Sequence, residues 1–335
     1  MRVLKFIPIL LMALILWGCP FYGYKYNQGK LPGYPVNLED FNTEYDDYNS
    51  SAPSFGSTVP FCYSTNRHNQ GGDFDIKYEP MNVDFSKTTG DLKVSNDYGG
   101  WNNLVEDFGT LVYSVRTINT EGNELGPYLV YSPYEEFSDA ELVLLYATDL
   151  DGDYNIRYTF NTDSSAFTDS HPVTFLNSEF NDLYPSFDSD YSRIYFCSDR
   201  EDGIFNIFYV DVEYSNGQIV GILSDTLERA VEMDQVLSGE YDDKCPYIFE
   251  NTLLFTSNRP GGSGGFDLYY SKFEDGAWTE PVNLGAAINT EFDEYRPILF
   301  DEMVDDYRDM LVFSSNRTGG NGGFDLYFVG ILNEL

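Results

Sequence analysis

The chain has 335 residues, of which 42% are hydrophobic and 17% aromatic, enough to bury a sizeable core. Its 28 tyrosines and 26 phenylalanines suit pleated surfaces and point to an all-β protein. Fifty-five Asp and Glu against 19 Lys and Arg give a formal net charge of −36, which repels phosphate backbones and excludes nucleic acid as a partner.

The first element in chain order is a leader. Arg2 and Lys5 precede an apolar stretch over 6–17 (FIPILLMALILW), which is too short to span a membrane comfortably. It runs into Leu16-Trp17-Gly18-Cys19, which resembles the bacterial lipobox, with Trp17 where a small or aliphatic residue is usual. The resemblance implies a signal peptide over 1–18, acylation of Cys19 and a tether over 19–34. Pro20 stands where inner-membrane retention usually places Asp, so the resemblance implies an outer-membrane lipoprotein. Cys62, Cys197 and Cys245 are then an odd number at no metal-ligand spacing. Cys62 and Cys197 fall inside predicted strands, where they read as small buried hydrophobes.

A short strand is predicted at PVNL (35–38), ahead of the phrase NTEYDDY (42–48). A strand–turn–strand unit, FCYSTNRHNQGGDFDIKY (61–78), follows. Both the phrase and the unit then recur, which marks an array of supersecondary units. The phrase returns as NTEGNELGP (119–127), NSEFNDLYP (177–185), SGEYDDKCP (238–246) and NTEFDEYRP (289–297). The unit returns as LLYATDLDGDYNIRY (144–158), IYFCSDREDGIFNIFYV (194–210), LFTSNRPGGSGGFDLYY (254–270) and VFSSNRTGGNGGFDLY (312–327). Asn66, Asp149, Asp199, Asn258 and Asn316 stand at the corner, where their side chains can close a turn on their own backbone. Arg67, Arg200, Arg259 and Arg317 follow, with Leu150 as the exception. The proline ending most phrases reads as a strand start, where a missing N–H does least harm.

The wider spacing between the first two corners reads as an insertion at about 80–110; a degenerate sixth blade is the alternative. The chain begins with an outer strand lacking inner ones and ends with inner strands lacking an outer one. Pairing the first with the last closes a ring and removes its exposed edges. The expected fold is therefore an all-β, five-bladed β-propeller of four-stranded antiparallel blades over 35–335, closed by an N-terminal strand. On the Asn-Arg corner, the glycine turn, the Phe-Asp-Leu-Tyr strand and the proline-containing inner strand, it resembles the TolB-type, WD-repeat-like propellers of the bacterial cell envelope. The resemblance implies protein–protein contacts with other envelope components, including peptidoglycan-associated or secretion proteins.

The phrases and corners are expected on one face, which gathers Glu44, Glu121, Glu179, Glu240, Glu291 and Asp293 with the corner arginines Arg67, Arg200, Arg259 and Arg317. These residues either hold the turns in shape or receive a basic partner. Asp149, Asp151 and Asp153 resemble part of a calcium loop, but Phe160 stands where the bidentate Glu is needed, so no metal is expected. Gly261-Gly-Ser263-Gly-Gly265 matches a nucleophile pattern formally, yet its sister turn has Asn321 at that place. His68 and His171 belong to no cluster. The expectation is a non-catalytic, lipid-anchored scaffold without cofactor. The alternative is a glycan-binding or glycoside-hydrolysing propeller, whose axial carboxylates would act as acid and base or nucleophile.

Overall fold

A computed structural model describes residues 24–53, 58–97, 111, 115–132, 141–161, 167–213, 219–301 and 303–332. Their strands form five antiparallel sheets. Blade one runs outward as β2 (Asp47–Ser51), β3 (Thr58–Thr65), β4 (Asp75–Phe85) and β5 (Leu92–Ser95). Blade two is β6 (Glu124–Ser132), β7 (Glu141–Thr148), β8 (Asn155–Phe160) and β9 (His171–Pro172). Blade three is β10 (Asp182–Phe187), β11 (Arg193–Ser198), β12 (Asn206–Asp211) and β13 (Glu232–Met233). Blade four is β14 (Asp243–Phe249), β15 (Thr252–Ser257) and β16 (Asp267–Glu274), with β17 (Ala277–Trp278) and β18 (Val282–Asn283) both paired to β16. Blade five is β19 (Glu294–Phe300), β20 (Arg308–Ser315), β21 (Asp325–Leu332) and, outermost, the N-terminal β1 (Val36–Asn37).

The inner strands β2, β6, β10, β14 and β19 touch one another in a closed circle. Val36 pairs with Phe328 and Asn37 with Tyr327, so the first strand completes the last blade as expected. Each blade is sandwiched between two others, so a second strand such as β15 is buried along its whole length. Within the 80–110 segment, β5 supplies the fourth strand of blade one.

Every inner strand carries a bulge at the same place, between Tyr48 and Ser51, Leu125 and Tyr128, Leu183 and Ser186, Lys244 and Tyr247, and Tyr295 and Ile298. Pro127, Pro185, Pro246 and Pro297 sit inside these bulges rather than at the strand starts expected from sequence. A bulge leaves a residue out of the ladder, so the missing proline N–H breaks no pairing.

Polar side chains join the blades. The Asn of the lead-in phrase brackets the backbone of the preceding blade's third strand. Asn119 accepts from Ile76 N at 2.9 Å and donates to Ile76 O at 2.9 Å. Asn177 does so with Ile156, Asn289 with Leu268, Asn42 with Leu326, and Ser238 takes the role at Ile207. The fifth letter of the phrase clamps in two directions. Asp293 Oδ1 accepts from Phe266 N of the preceding blade at 2.9 Å, while Asp293 N donates to Asn316 Oδ1 of its own corner at 2.9 Å. The same clamp joins blade one to blade five, where Asp46 Oδ1 accepts from Phe324 N at 2.7 Å.

The corner partner of this clamp alternates. Blades one, four and five pair Asp46–Asn66, Asp242–Asn258 and Asp293–Asn316. Blades two and three reverse the types, pairing Asn123–Asp149 and Asn181–Asp199. One amide and one carboxylate are needed, because the amide N–H₂ must find an acceptor. Asp293→Asn alone should cost about 1–2 kcal/mol, and adding Asn316→Asp should recover most of it by recreating the blade-three pairing. A double-mutant cycle on urea melts measures the coupling; additive losses would refute it.

The corner arginines close each blade. Arg317 Nη2 reaches Glu294 Oε1 at 2.9 Å and Ile288 O at 2.8 Å. Arg259 reaches Asp243 at 2.6 Å, Arg200 reaches Asp182 at 2.5 Å, and Arg67 is joined to Asp47. All four carboxylates are fully buried. Burial raises the Asp243 carboxyl, although Arg259 beside it opposes the shift. Removing one partner of such a pair strands a buried charge. Arg259→Leu should therefore cost about 3–5 kcal/mol, and adding Asp243→Asn should restore much of the loss. Equal destabilisation in single and double variants, read from urea melts, would contradict this.

Candidate functional site

The lead-in loops and the strand-two-to-three corners share one face, as the Asp46–Asn66 clamp requires. All the predicted candidates lie on it, but they differ in their engagement. Arg67, Arg200, Arg259 and Arg317 are held by buried carboxylates and stack on strand aromatics; Arg317, for example, lies 5.1 Å from the Phe313 ring. Asp293 is a clamp. Glu44, Glu121, Glu179, Glu240 and Glu291 are exposed and take part in no hydrogen bond or ion pair among the described residues. In a phrase where nearly every other polar letter has an architectural partner, this glutamate is the one left free in every blade.

An aromatic residue follows that glutamate in four blades: Tyr45, Phe180, Tyr241 and Phe292, with Gly122 in blade two. Phe180 and Tyr241 are 39% and 40% exposed. A second aromatic column, not singled out from sequence, lies nearer the axis. Phe74, Tyr154, Phe205, Phe266 and Phe324 each immediately precede the third strand of a blade, and each is half-buried. The clamp fixes them, since their backbone N–H groups are the ones that Asn123, Asn181, Asp242, Asp293 and Asp46 accept. Tyr48 packs between Phe74 and Phe324, with ring centroids at 5.1 and 5.4 Å, and Tyr295 packs on Phe266 at 5.2 Å. Lys244 Nζ lies 4.2 Å from the Phe205 ring centroid. The result is a collar of aromatic rings around the mouth of the axis.

Blade two breaks the fivefold pattern. Leu150 replaces the corner arginine and is 53% exposed. Glu124, the equivalent of the arginine-paired carboxylates, is held by the Thr120 N–H and by the Thr120 and Thr148 hydroxyls. Burial raises its pKa, and these hydrogen bonds oppose the rise. A Cβ at Gly122 would stand 3.1 Å from Leu150 Cα, which leaves no room there for the aromatic found in sister blades.

Below the collar the axis is filled by side chains of Asn49, Tyr184, Cys245 and Arg296, beside Gly126. No carboxylate stands in this column. The inner-strand carboxylates turn instead toward their arginines or threonines, which differs from the axial convergence the glycosidase alternative assumed. Among the described residues no group of three or more His, Cys, Asp or Glu is arranged to hold a metal ion. Asp149 is occupied by Asn123 and Asp153 by Asn155, while Asp151 is exposed. Ser263 lies in a turn closed by its backbone N–H to Asp267. Cys19 lies outside the described residues. Cys62 and Cys197 are buried and unpaired, and burial lifts both thiols to about 12.

No protein-family model and no curated protein matches the chain. Its fold is similar to that of solved glycoside hydrolases. One is a GH62 hydrolase in complex with xylotriose, at 11% identity and TM-score 0.51, covering 93% of this chain and 99% of that one. Another is an α-L-arabinofuranosidase from Podospora anserina in complex with cellotriose, at 11% identity and TM-score 0.50, covering 90% and 96%. At these identities the likeness establishes the five-bladed propeller. The same finding corrects two expectations, the non-catalytic protein–protein scaffold and the absence of enzymatic activity. Both of these solved rings are named as hydrolases, and neither as a TolB-type or WD-repeat protein.

Proposed function

We propose that this protein is a carbohydrate-active propeller that binds a glycan at the aromatic collar and hydrolyses a glycosidic bond with carboxylates of the same face. One observation carries the reading. Five exposed glutamates without structural partners surround five half-buried aromatic rings at the mouth of the axis. A sugar ring offers apolar C–H faces and a rim of hydroxyls. The negative π-face of an aromatic ring suits the former, and carboxylates accept from the latter. Glycoside hydrolysis needs one carboxyl group as acid and a second as base or nucleophile. The two neighbours crystallised with xylotriose and cellotriose support an oligosaccharide as the ligand class.

Blade two is the sector that best suits the chemistry, since a reacting pair must be singular and the other blades repeat one another. Glu124 is an inner-strand carboxylate with no arginine beside it, and its raised pKa favours the protonated form that a general acid requires. Glu121 stands exposed in the same loop. Purified protein incubated with xylo-, arabino- and gluco-oligosaccharides should release reducing sugar. Glu121→Gln should lower kcat at least about 100-fold with little change in melting temperature; Glu124→Gln should lower kcat as much and also lower the melting temperature, since both Glu124 oxygens accept hydrogen bonds from Thr120 and Thr148. Neither turnover nor binding across the panel would overturn the reading; binding without turnover would reduce it to a glycan receptor.

The anchor fits this use. Lys25 N donates to Lys87 O at 2.9 Å, Gly29 N to Val304 O at 2.8 Å and Leu31 N to Asp305 Oδ2 at 2.7 Å. Lys87 and Val304 lie in the β4–β5 and β19–β20 connections, at the end of the blades opposite the lead-in loops. Tyr24 lies five positions beyond Cys19, at most about 18 Å of extended chain. Acylation of Cys19 would thus hold the far face near an outer-membrane leaflet and turn the collar away from it. Cys19→Ser should release the protein from the membrane fraction; unchanged fractionation would refute the anchor.

A further inference from the structure

The second residue of each inner strand lies just beneath the aromatic collar. Four blades place an apolar side chain there: Tyr48, Leu125, Leu183 and Tyr295. Blade four places Lys244 there. The register is the same throughout, since Lys244 pairs with Thr256 as Tyr48 does with Ser64, Leu125 with Ala147, Leu183 with Cys197 and Tyr295 with Ser314. The two tyrosines show what the position does. Tyr48 fills the gap between the collar rings Phe74 and Phe324, and Tyr295 fills the gap between Phe266 and Phe324, at 5.2 and 6.3 Å. Lys244 occupies the corresponding gap between Phe205 and Phe266, with Nζ 4.2 and 5.3 Å from the ring centroids.

Packing does not call for a charge at this position. Leu125 and Leu183 are buried there, and an ammonium in the same layer gives up water that two ring faces replace only in part. Nor does an acid hold it. No hydrogen bond or ion pair engages Lys244 Nζ among the described residues. The neighbouring acids are committed elsewhere, Asp243 to Arg259 and Asp242 to Phe205 N and Asn258, while Glu240 stands exposed in the same lead-in loop. Lys244 is half-buried, and its Nζ is reached by solvent, in contrast to Arg296 Nε and Nη1 on the axis below. Among the described residues no other lysine or arginine lies against a collar ring.

We infer that Lys244 is a specificity residue that selects an acidic sugar, a uronic acid unit carrying one carboxylate within an otherwise neutral chain. The inference rests on the glycan reading above. A sugar lying across Phe205 and Phe266 sets its C–H face on the rings. A carboxylate directed into the gap between them meets the ammonium in a charge-assisted hydrogen bond. One ammonium balances one negative charge, and the five exposed glutamates around the collar disfavour a chain that is acidic at every unit. The acidic unit thus sits at the boundary of blades three and four, beside the blade-two sector that holds Glu121 and Glu124.

The full chain in detergent is titrated calorimetrically with xylo-, arabino- and gluco-oligosaccharides that each carry one glucuronic acid, and with the same compounds after reduction of the carboxyl to the neutral alcohol. Wild type should bind the acidic member of a pair at least about 10-fold more tightly than the reduced one, and added salt should shrink that preference. Lys244→Leu should bind both members with the affinity that wild type shows for the reduced one, and Lys244→Arg should retain a preference. Lys244→Leu should melt no lower than wild type, because leucine already holds this position in blades two and three, so a lost preference cannot be ascribed to unfolding. Equal wild-type affinity for the two members, or a preference that survives in Lys244→Leu, would overturn the inference and leave the glycan reading standing. No binding of any member by wild type would overturn both.

Discussion

The structure depends on one repeated contact between blades: the carboxylate or amide that ends each lead-in loop, gripping the previous blade's backbone and its own corner at once. Asp293 does this between blades four and five, and Asp46 does it between blades five and one. The backbone bond beside it, Glu294 N to Phe266 O or Asp47 N to Phe324 O, is made at 2.7 and 2.8 Å. Without this grip, the blades would be joined only by their apolar faces and by the Asn or Ser that opens each lead-in loop. With it, every blade enters the ring at the same height, and the aromatic residue at the end of each corner lands at the mouth of the axis.

That grip also explains the acidity of this face. Most of its carboxylates answer a specific donor: an arginine, a threonine, an asparagine or a backbone N–H. These carboxylates are part of how the corners are built. The exposed glutamates stand apart from this, and so does blade two, where Leu150 takes the arginine's place and Glu124 keeps a raised pKa. Chemistry on a symmetric ring needs a departure from symmetry, and the departures here gather in one sector and in the axial column.

Several readings from sequence survive unchanged because they rest on repetition. Five corners gave five blades, and the stray PVNL at the N-terminus gave closure by β1. The turn arginines were visible as a column; the clamp was not read from the sequence and emerges in the structure, as an Asp that becomes Asn wherever its corner partner changes from Asn to Asp. The prolines were visible but misplaced by a few positions, since a bulge leaves no mark of its own in the sequence. The expectation of a scaffold failed for a different reason. Columns shared by all blades report how a propeller is built, so they drew the eye toward architecture and toward a resemblance that carried no chemistry.

The amino-acid sequence by itself determined the blade count, the closure and the identity of every turn, because each of these is a local pattern repeated at intervals. Only the tertiary structure decided which side chains meet on the axis. Asn49, Gly126, Tyr184, Cys245 and Arg296 hold the same position of the repeated phrase but share no chemical likeness, and repetition alone does not show that they meet. They meet because five bulges turn four dissimilar side chains and a glycine toward one line, which is a property of the closed ring and of no segment of it. The aromatic collar has the same origin: five half-buried rings lie far apart in the chain and become one surface when the clamps bring the blades into register.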